Sequence, residues 1–413
     1  MNQAANSNIT VVRAGPLSGT DPLAWERGRG TCHSLTCSGR YSASVGNPHI
    51  VRLACGRAGN LQENSARHEF TQESDTGFSE LDLALVDALQ SAPRATWAQL
   101  GRALGVDATT AARHWDRLRS QGLAWVTAHE TPRTATVAFV DVHCGPRRFD
   151  AVSDTLTQLP WVISVEQMTG DYDLFLSVVA ADLHSLGRAV HGTIGGLRGV
   201  RSTRTHLGLS VFSEGGDWRT HAIPPASRAL LPESGTGSRD TYGIHTRTRD
   251  TPHDHALRTA LGNDGRMSYK ELGAAIGVSE YAARRRLLRM LRDHEITLRC
   301  DLAHPLAGYR AVALYRASVP HQRLEHTGAA LARMEQVRLS VSISGPHNLL
   351  VMVWLHDLGG ISPFEALLAE RFPHLAVGDR TIALHTPKRM GWLLDAHGRA
   401  TGYVPLALPA VGP

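Results

Sequence analysis

One stretch of this 413-residue chain occurs twice. WAQLGRALGVDATTAARHWDRLRSQG, starting at Trp97, aligns with YKELGAAIGVSEYAARRRLLRMLRDH, starting at Tyr269. Leu100 falls on Leu272, Gly101 on Gly273, Leu104 on Ile276, Gly105 on Gly277, Val106 on Val278 and Arg113 on Arg285. Such a duplication restricts the chain to folds made of two like units. The likeness continues downstream at a slightly larger offset, where Arg148 meets Arg323, Val162 meets Val337, Gly170 meets Gly345 and Leu174 meets Leu349. An insertion of a few residues thus divides each unit into two modules.

The duplicated stretch has the form of a DNA reader. From Ser279 to Arg292, Ala283, Leu287, Met290 and Leu291 recur at helical spacing, while Arg284, Arg285, Arg286, Arg289 and Arg292 occupy the rest of the surface. Before it, Leu272 and Ile276 mark a short helix closed by Gly277, a residue that enters a left-handed turn without a Cβ penalty. Ser279 stands where an N-cap belongs. Helix, Gly turn and capped basic helix make a helix-turn-helix, whose second helix enters the major groove. Gly101 and Gly273 lie inside the first helix, where Gly costs about 1 kcal/mol against Ala, so close backbone packing is expected there.

Taken in order, residues 1–76 are rich in Gly, Ser, Asn, Thr and Arg without an apolar period, and are expected to be disordered. Cys32, His33, Cys37, His49 and Cys55 are zinc-type ligands, but their spacing matches no closed structural motif, so no metal or other cofactor is expected. Residues 77–130 read as a three-helix, winged reader: a helix with Leu81, Leu85, Ala88 and Leu89 on one face, a second from Trp97 to Leu104, a recognition helix over about 108–120, and a strand from Leu123. Trp115 is expected in the helix core and His114 at the surface.

Residues 131–213 alternate between strand and helix patterns in the order β, α, β, β, α, β, a ferredoxin-like split unit with two helices on one face of an antiparallel sheet. Residues 214–250 lack periodicity and read as a linker. Residues 251–300 repeat the reader, 301–390 repeat the split unit, and 391–413 read as a tail over the sheet. The fold class is therefore α+β, a tandem repeat of helix-turn-helix and ferredoxin-like βαββαβ modules.

Composition adds little. The net charge of +5 is modest, and its placement matters more. The second recognition segment carries five Arg against Glu280, whereas in the first Asp107 and Asp116 oppose Arg113, Arg117 and Arg119. Lys270 and Lys388 are the only lysines, a bias that a GC-rich genome produces by itself. Five cysteines form no CxxC pair, and neither a secretory signal nor a long apolar run is evident. A cytoplasmic location without membrane contact is expected.

On the helix-turn-helix cores LGRALGV and LGAAIGV, the recognition segments, and TGDYDLFLSV from Thr169 to Val178, the chain resembles the Lrp/AsnC (feast/famine) family of transcriptional regulators, twice over. The likeness covers roughly residues 78–213 and 250–390. It implies double-stranded DNA as partner, effector (RAM) modules that pair sheet to sheet and assemble further, and an amino acid or related small metabolite as effector. A tandem copy is then a covalent pseudo-dimer whose unequal readers favour unequal half-sites. Thr109, Arg113 and Arg117 in one copy, and Ser279, Tyr281, Arg284, Arg285 and Arg289 in the other, are the expected DNA contacts.

Gly170, Asp171, Tyr172 and Asp173 are the effector positions carried over from the family. A Gly turn admits a carboxylate to backbone amides, and Asp171 or Asp173 accepts from an ammonium. The other reading of TGDYD is an ordinary polar turn. The second copy has Pro346, His347 and Asn348 in place of the acidic set, which puts a second site in doubt.

No catalytic residue is assigned, and the chain is not expected to be an enzyme. The competing enzyme reading rests on likeness to the sirohaem decarboxylases, but none of the 22 His forms a motif spacing. A third reading is a nucleoid-organising protein of low sequence preference.

Overall fold

In the computed structural model the described residues are 77–130, 135–232 and 251–409. The expectations for residues 1–76, including the Cys and His set, lie outside them.

The chain opens with α1 (Glu80–Ser91), α2 (Trp97–Leu104) and α3 (Ala108–Ser120). Local chemistry fixes each start. Ser79 and Asp82 close a capping box on α1, Thr96 and Gln99 close one on α2, and Asp107 caps α3. α2 ends at Gly105, with φ 71°. A Cβ on Gly101 would stand 2.6 Å from the carbonyl oxygen of Val106, so the turn into α3 closes only over a glycine.

Then come β1 (Ala124–Glu130), β2 (Thr136–Cys144), α4 (Phe149–Thr157), β3 (Val162–Met168), β4 (Leu174–Ala180), α5 (Leu183–Gly187) and β5 (Val200–Ser213). Leu183, Leu186, Val190 and Ile194 recur at helical spacing, yet they do not share one α-helix: beyond Gly187 the chain widens into a π-helical segment, Arg188–Ile194. Residues 214–232, expected as linker, are instead folded onto the first reader. They include α6 (Pro225–Arg228) and bury Trp218, Ile223 and Leu231. The Trp218 indole donates to the carbonyl of Glu335 at 2.8 Å and meets Trp354 edge-on. The Ile223 amide donates to Asp87 at 2.9 Å.

The second half runs α7 (Pro252–Asn263), α8 (Tyr269–Ile276), α9 (Glu280–Arg292), β6 (Ile296–Leu302), β7 (Ala311–Ser318), α10 (His321–Leu331), β8 (Val337–Ile343), β9 (Leu349–Leu355), α11 (Ile361–Arg371) and β10 (Ala376–Arg389). The expected tail adds β11 (Trp392–Leu394) and β12 (Ala400–Tyr403) to the sheet edge, with Trp392 packed on Trp125 and Tyr403.

Strand pairing joins the halves. β1 and β6 form an antiparallel ribbon centred on Thr127 opposite Arg299. The remaining strands form one sheet in the order β12-β11-β10-β3-β4-β2-β5-β8-β9-β7, and β10 also pairs with β7, so the strands from β10 to β7 close into a ring. The crossings β5–β8 and β10–β3 each join one half to the other. Closure removes the exposed edges that an isolated four-stranded module would carry.

Separate apolar clusters fill the layers. Val152, Leu156 and Val190 pack on one half of the sheet, and Leu331, Phe364 and Leu368 on the other. Phe139, Phe175, Leu314 and Leu350 fill the space inside the ring, where the halves face each other. A third layer under the helices runs through both readers, with Leu85, Leu118, Leu257 and Leu287 wholly buried. Each such leucine contributes about 1.5–3 kcal/mol over an exposed one.

Candidate nucleic-acid interface and effector module

The readers are locked together reciprocally. Arg94 donates to the carbonyls of Gly265 (2.6 Å) and Met267 (2.9 Å). Arg266, its counterpart, donates to those of Pro93 (2.6 Å) and Ala95 (3.0 Å). Each guanidinium also covers the aromatic ring that opens the other reader's second helix: Arg266 lies 4.1 Å from the Trp97 centroid and Arg94 4.9 Å from that of Tyr269. Sequence reasoning missed these clamps, although Arg94 and Arg266 occupy matching places before the aligned Trp97 and Tyr269.

The predicted contact residues divide into two sets. Thr109 and Arg113 on α3, and Tyr281, Arg284 and Arg285 on α9, are exposed, Tyr281 by 73%. They point away from the packed faces carried by Ala111, Trp115 and Leu118, and by Ala283, Leu287 and Met290. Arg117 and Arg289 behave differently. Arg117 pairs with the buried Asp82, and Arg289 pairs with the matching Asp254 at 3.1 Å and with Glu295 at 3.5 Å. Their place on the helix turns them toward the first helix of the module, so both hold the helix-turn-helix together. His114, expected at the surface, bonds Asp82 at 2.8 Å, as Arg286 bonds Asp254 at 2.8 Å. Ser279 engages its hydroxyl with the amide of Ala282, as an N-cap.

The two anchoring aspartates are tuned by these bonds. Burial raises the Asp254 pKa, but hydrogen bonds from Arg286 and Thr251 outweigh it and bring the carboxyl to about 2. For Asp82, burial is likewise overcome by bonds from Ser79, His114 and Arg117. Both stay ionised at neutral pH and keep the helices paired.

The TGDYD segment joins β3 to β4 and lies against the last strand of the opposite half. The Thr169 amide donates to Ile382 at 2.9 Å, as that of Ser344 donates to Leu207 at 2.9 Å. Gly170 has φ 96°, and a Cβ there would meet Thr381 at 2.9 Å. Asp171 is exposed. Tyr172 is buried: its hydroxyl bonds Thr381 at 2.8 Å and receives Arg316 at 3.0 Å. Asp173 accepts the Cys144 amide at 2.6 Å, and Asn348 accepts the matching Val319 amide at 2.9 Å. The shared bond marks Asp173 as a hairpin clamp. The four positions therefore do not converge on one open pocket: Gly170 and Asp171 lie at the turn, while Tyr172 and Asp173 are engaged in the fold.

Inside the ring, Asp141 of β2 bonds Arg316 of β7 at 2.5 Å, both about 95% buried. His206 faces Asp141 at 3.4 Å, and Asp379 accepts from Arg316 at 2.9 Å. Aligning the halves as at Gly170 and Gly345 places positions 141 and 316 on each other. Among the described residues, no group of three or more His, Cys, Asp or Glu could hold a metal ion, and no helix is long and apolar enough to cross a membrane.

Known proteins share these features. The AsnC-type helix-turn-helix domain model matches residues 78–119 and again 254–291, and the Lrp/AsnC ligand binding domain model matches 137–218. An uncharacterised HTH-type transcriptional regulator of Pyrococcus abyssi is 30% identical over 112 residues, 27% of this chain and 71% of that relative. An HTH-type transcriptional regulator of Methanocaldococcus jannaschii is 25% identical over 139 residues, 33% of this chain and 94% of its own length. Among solved structures, the siroheme decarboxylase NirDL covers 76% of this chain and 93% of its own, with a TM-score of 0.50 and 12% identity, a likeness of fold alone. With its two AsnC-type readers, a ligand-binding module and a relative matched over most of its length, the chain belongs to the Lrp/AsnC family of helix-turn-helix, DNA-binding transcriptional regulators.

Proposed function

We propose that this protein is a sequence-specific regulator in which one chain does the work of a dimer. In this reading it consists of two tandem units, readers at 77–130 and 251–300 and effector modules at 131–213 and 301–390. The observation that carries it is the pair of clamped readers, each with an exposed polar set on its recognition helix: Thr109 and Arg113 on one, Tyr281, Arg284 and Arg285 on the other. Exposed Arg at such positions bonds guanine edges or phosphates. Because the sets differ, the preferred operator has unequal half-sites.

The effector is an amino acid or related metabolite, bound near the turn at Gly170 and Asp171. It acts by preferring one assembly over another. Self-association through the effector modules is supported by exposed leucines at matching places in the two halves, Leu183 with Leu358 and Leu209 with Leu384, all at least 61% exposed. No catalytic residue is assigned, and incubation with a polycarboxylate tetrapyrrole is expected to release no CO2.

Selection of bound duplexes from a random pool tests the reading. An enriched motif with two different half-sites about one helical turn apart, or a multiple of it, is expected. Recovery of no motif despite salt-sensitive binding would instead favour a weakly specific nucleoid-organising protein. A thermal-shift screen of the amino acids, repeated on Asp171→Ala, tests the effector site: a stabilising amino acid that loses its effect in the variant is expected.

A further inference from the structure

A cavity of about 1380 Å³ is walled by strands of the closed ring, by the β1/β6 ribbon and by the first helix of the second reader. Gly170, Asp171, Tyr172 and Asp173 are not among its walls. One part of the lining is apolar, with Phe139, Leu339, Val341 and Met352. Another part is cationic: Arg299, Arg338 and Arg389 line it at 4, 4 and 6% exposure.

These three cations are under-compensated. Asp301, wholly buried, pairs with Arg299 at 2.8 Å and also with Arg338. Glu166, the other buried carboxyl of the group, is pushed by burial up to about 8 against the pull of Arg389 and Arg338, so it carries a proton at neutral pH. The further wall carboxylates Glu130, Glu214, Asp293 and Glu295 already face Arg258, His129, Arg292 and Arg289. Nη1 of Arg338, Nη1 of Arg389 and Nε of Arg299 have no hydrogen-bond partner among the described residues. Buried guanidinium groups are kept where an anion meets them. The arrangement is confined to one half, since Thr127, Ile163 and Glu214 stand at the corresponding positions of the other.

We propose that this cavity binds an organic anion with an apolar body, its carboxylate held by Arg338 and Arg389 and its hydrocarbon part lying on Phe139, Leu339, Val341 and Met352. The forked donors match a carboxylate, and the apolar wall distinguishes a hydrophobic acid from a free inorganic anion. The ligand is thus of a different kind from an amino acid held at the 169–173 turn.

Calorimetric titration of the full chain with decanoate, decanol and inorganic phosphate tests this. Decanoate is expected to bind one per chain, at least tenfold tighter than decanol, with no comparable heat from phosphate. Arg389→Gln, whose removed group bonds His304 at 3.2 Å and lies over the Trp354 ring, is expected to weaken decanoate at least tenfold with the far-UV spectrum unchanged. Leu339→Trp, which fills the apolar part and leaves every Arg in place, is expected to do the same, and it keeps the test decisive if the first variant does not fold. Equal affinity for decanoate and decanol, no decanoate binding at millimolar concentration, or unaltered binding by the folded variants would overturn the proposal.

Discussion

Reversing the buried pair Asp141 and Arg316 probes how the two halves recognise each other. In a symmetric pair of identical modules these aligned positions would bring a residue against its own copy, and two Asp or two Arg would repel. Here one half carries the acid and the other the base, bonded at 2.5 Å and about 95% buried. Opposite charges about 4 Å apart attract by roughly 4 kcal/mol at an effective dielectric of 20. Stranding one partner costs roughly 3–5 kcal/mol. Arg316→Asp and Asp141→Arg are therefore each expected to lower unfolding free energy by ~4 kcal/mol.

The double swap restores opposite charges, but it sets the new carboxylate at position 316 beside Asp379 and the new guanidinium at position 141 beside His206. It is therefore expected to recover about a third of the summed loss, a coupling of ~2–3 kcal/mol. Urea unfolding followed by tryptophan fluorescence measures all four proteins. A double variant as unstable as the two singles added together, within about 0.5 kcal/mol, would refute the direct pairing.

Three further outcomes follow from buried or anchored charges. Burial brings Glu166 to about 8 in the fold against 4.5 when unfolded, so the folded state holds the extra proton and stability falls as pH rises between those values, by up to about 5 kcal/mol. Glu166→Gln should lack that fall in urea midpoints taken from pH 5 to 8. Lys388, wholly buried with Nζ on the Leu159 carbonyl at 2.8 Å, is pulled by burial down to about 7, so its penalty is greatest below pH 7 and fades as pH rises toward 10.5. Lys388→Met should raise the midpoint at pH 6 by more than at pH 9. Arg289→Ala should destabilise the fold by about 1–3 kcal/mol in thermal melts, through its lost bonds to Asp254 and Glu295, with Arg286 and Thr251 still on Asp254, whereas Arg285→Ala should change stability by less than about 0.5 kcal/mol.

Much of this architecture is written locally. Apolar spacing, Ser79 and Ser279 at helix starts, and Gly105 and Gly277 at helix ends place these reader helices within a residue or so, because each signal acts over one helical turn. The partners of β5 and β10 are not legible in the same way. Pairing with β8 and β3 spans the two halves, and no periodicity records which edge meets which. Periodicity also treats all Arg of α9 alike, so it does not separate Arg289, tied to Asp254, from Arg285, which is exposed. Asp82 and Asp254 each close a capping box on the first helix of their reader, but their second role depends on a helix packed across them. Trp218 escapes notice because a single aromatic in a stretch without period gives no sign of the Trp354 and Tyr309 rings that receive it.

The proposed division of labour, in which Arg284 and Arg285 read DNA while Arg289 holds their helix, is tested most directly by fluorescence anisotropy. The wild type and the Arg284→Ala, Arg285→Ala double variant are compared on the protein's own upstream region and on a scrambled duplex, across a salt series. The wild type is expected to prefer the upstream duplex by roughly a thousandfold. The variant is expected to lose binding with its melting temperature unchanged and its salt slope reduced by up to about two charges. Equal binding of both duplexes by the wild type, or undiminished binding by the variant, would contradict that division.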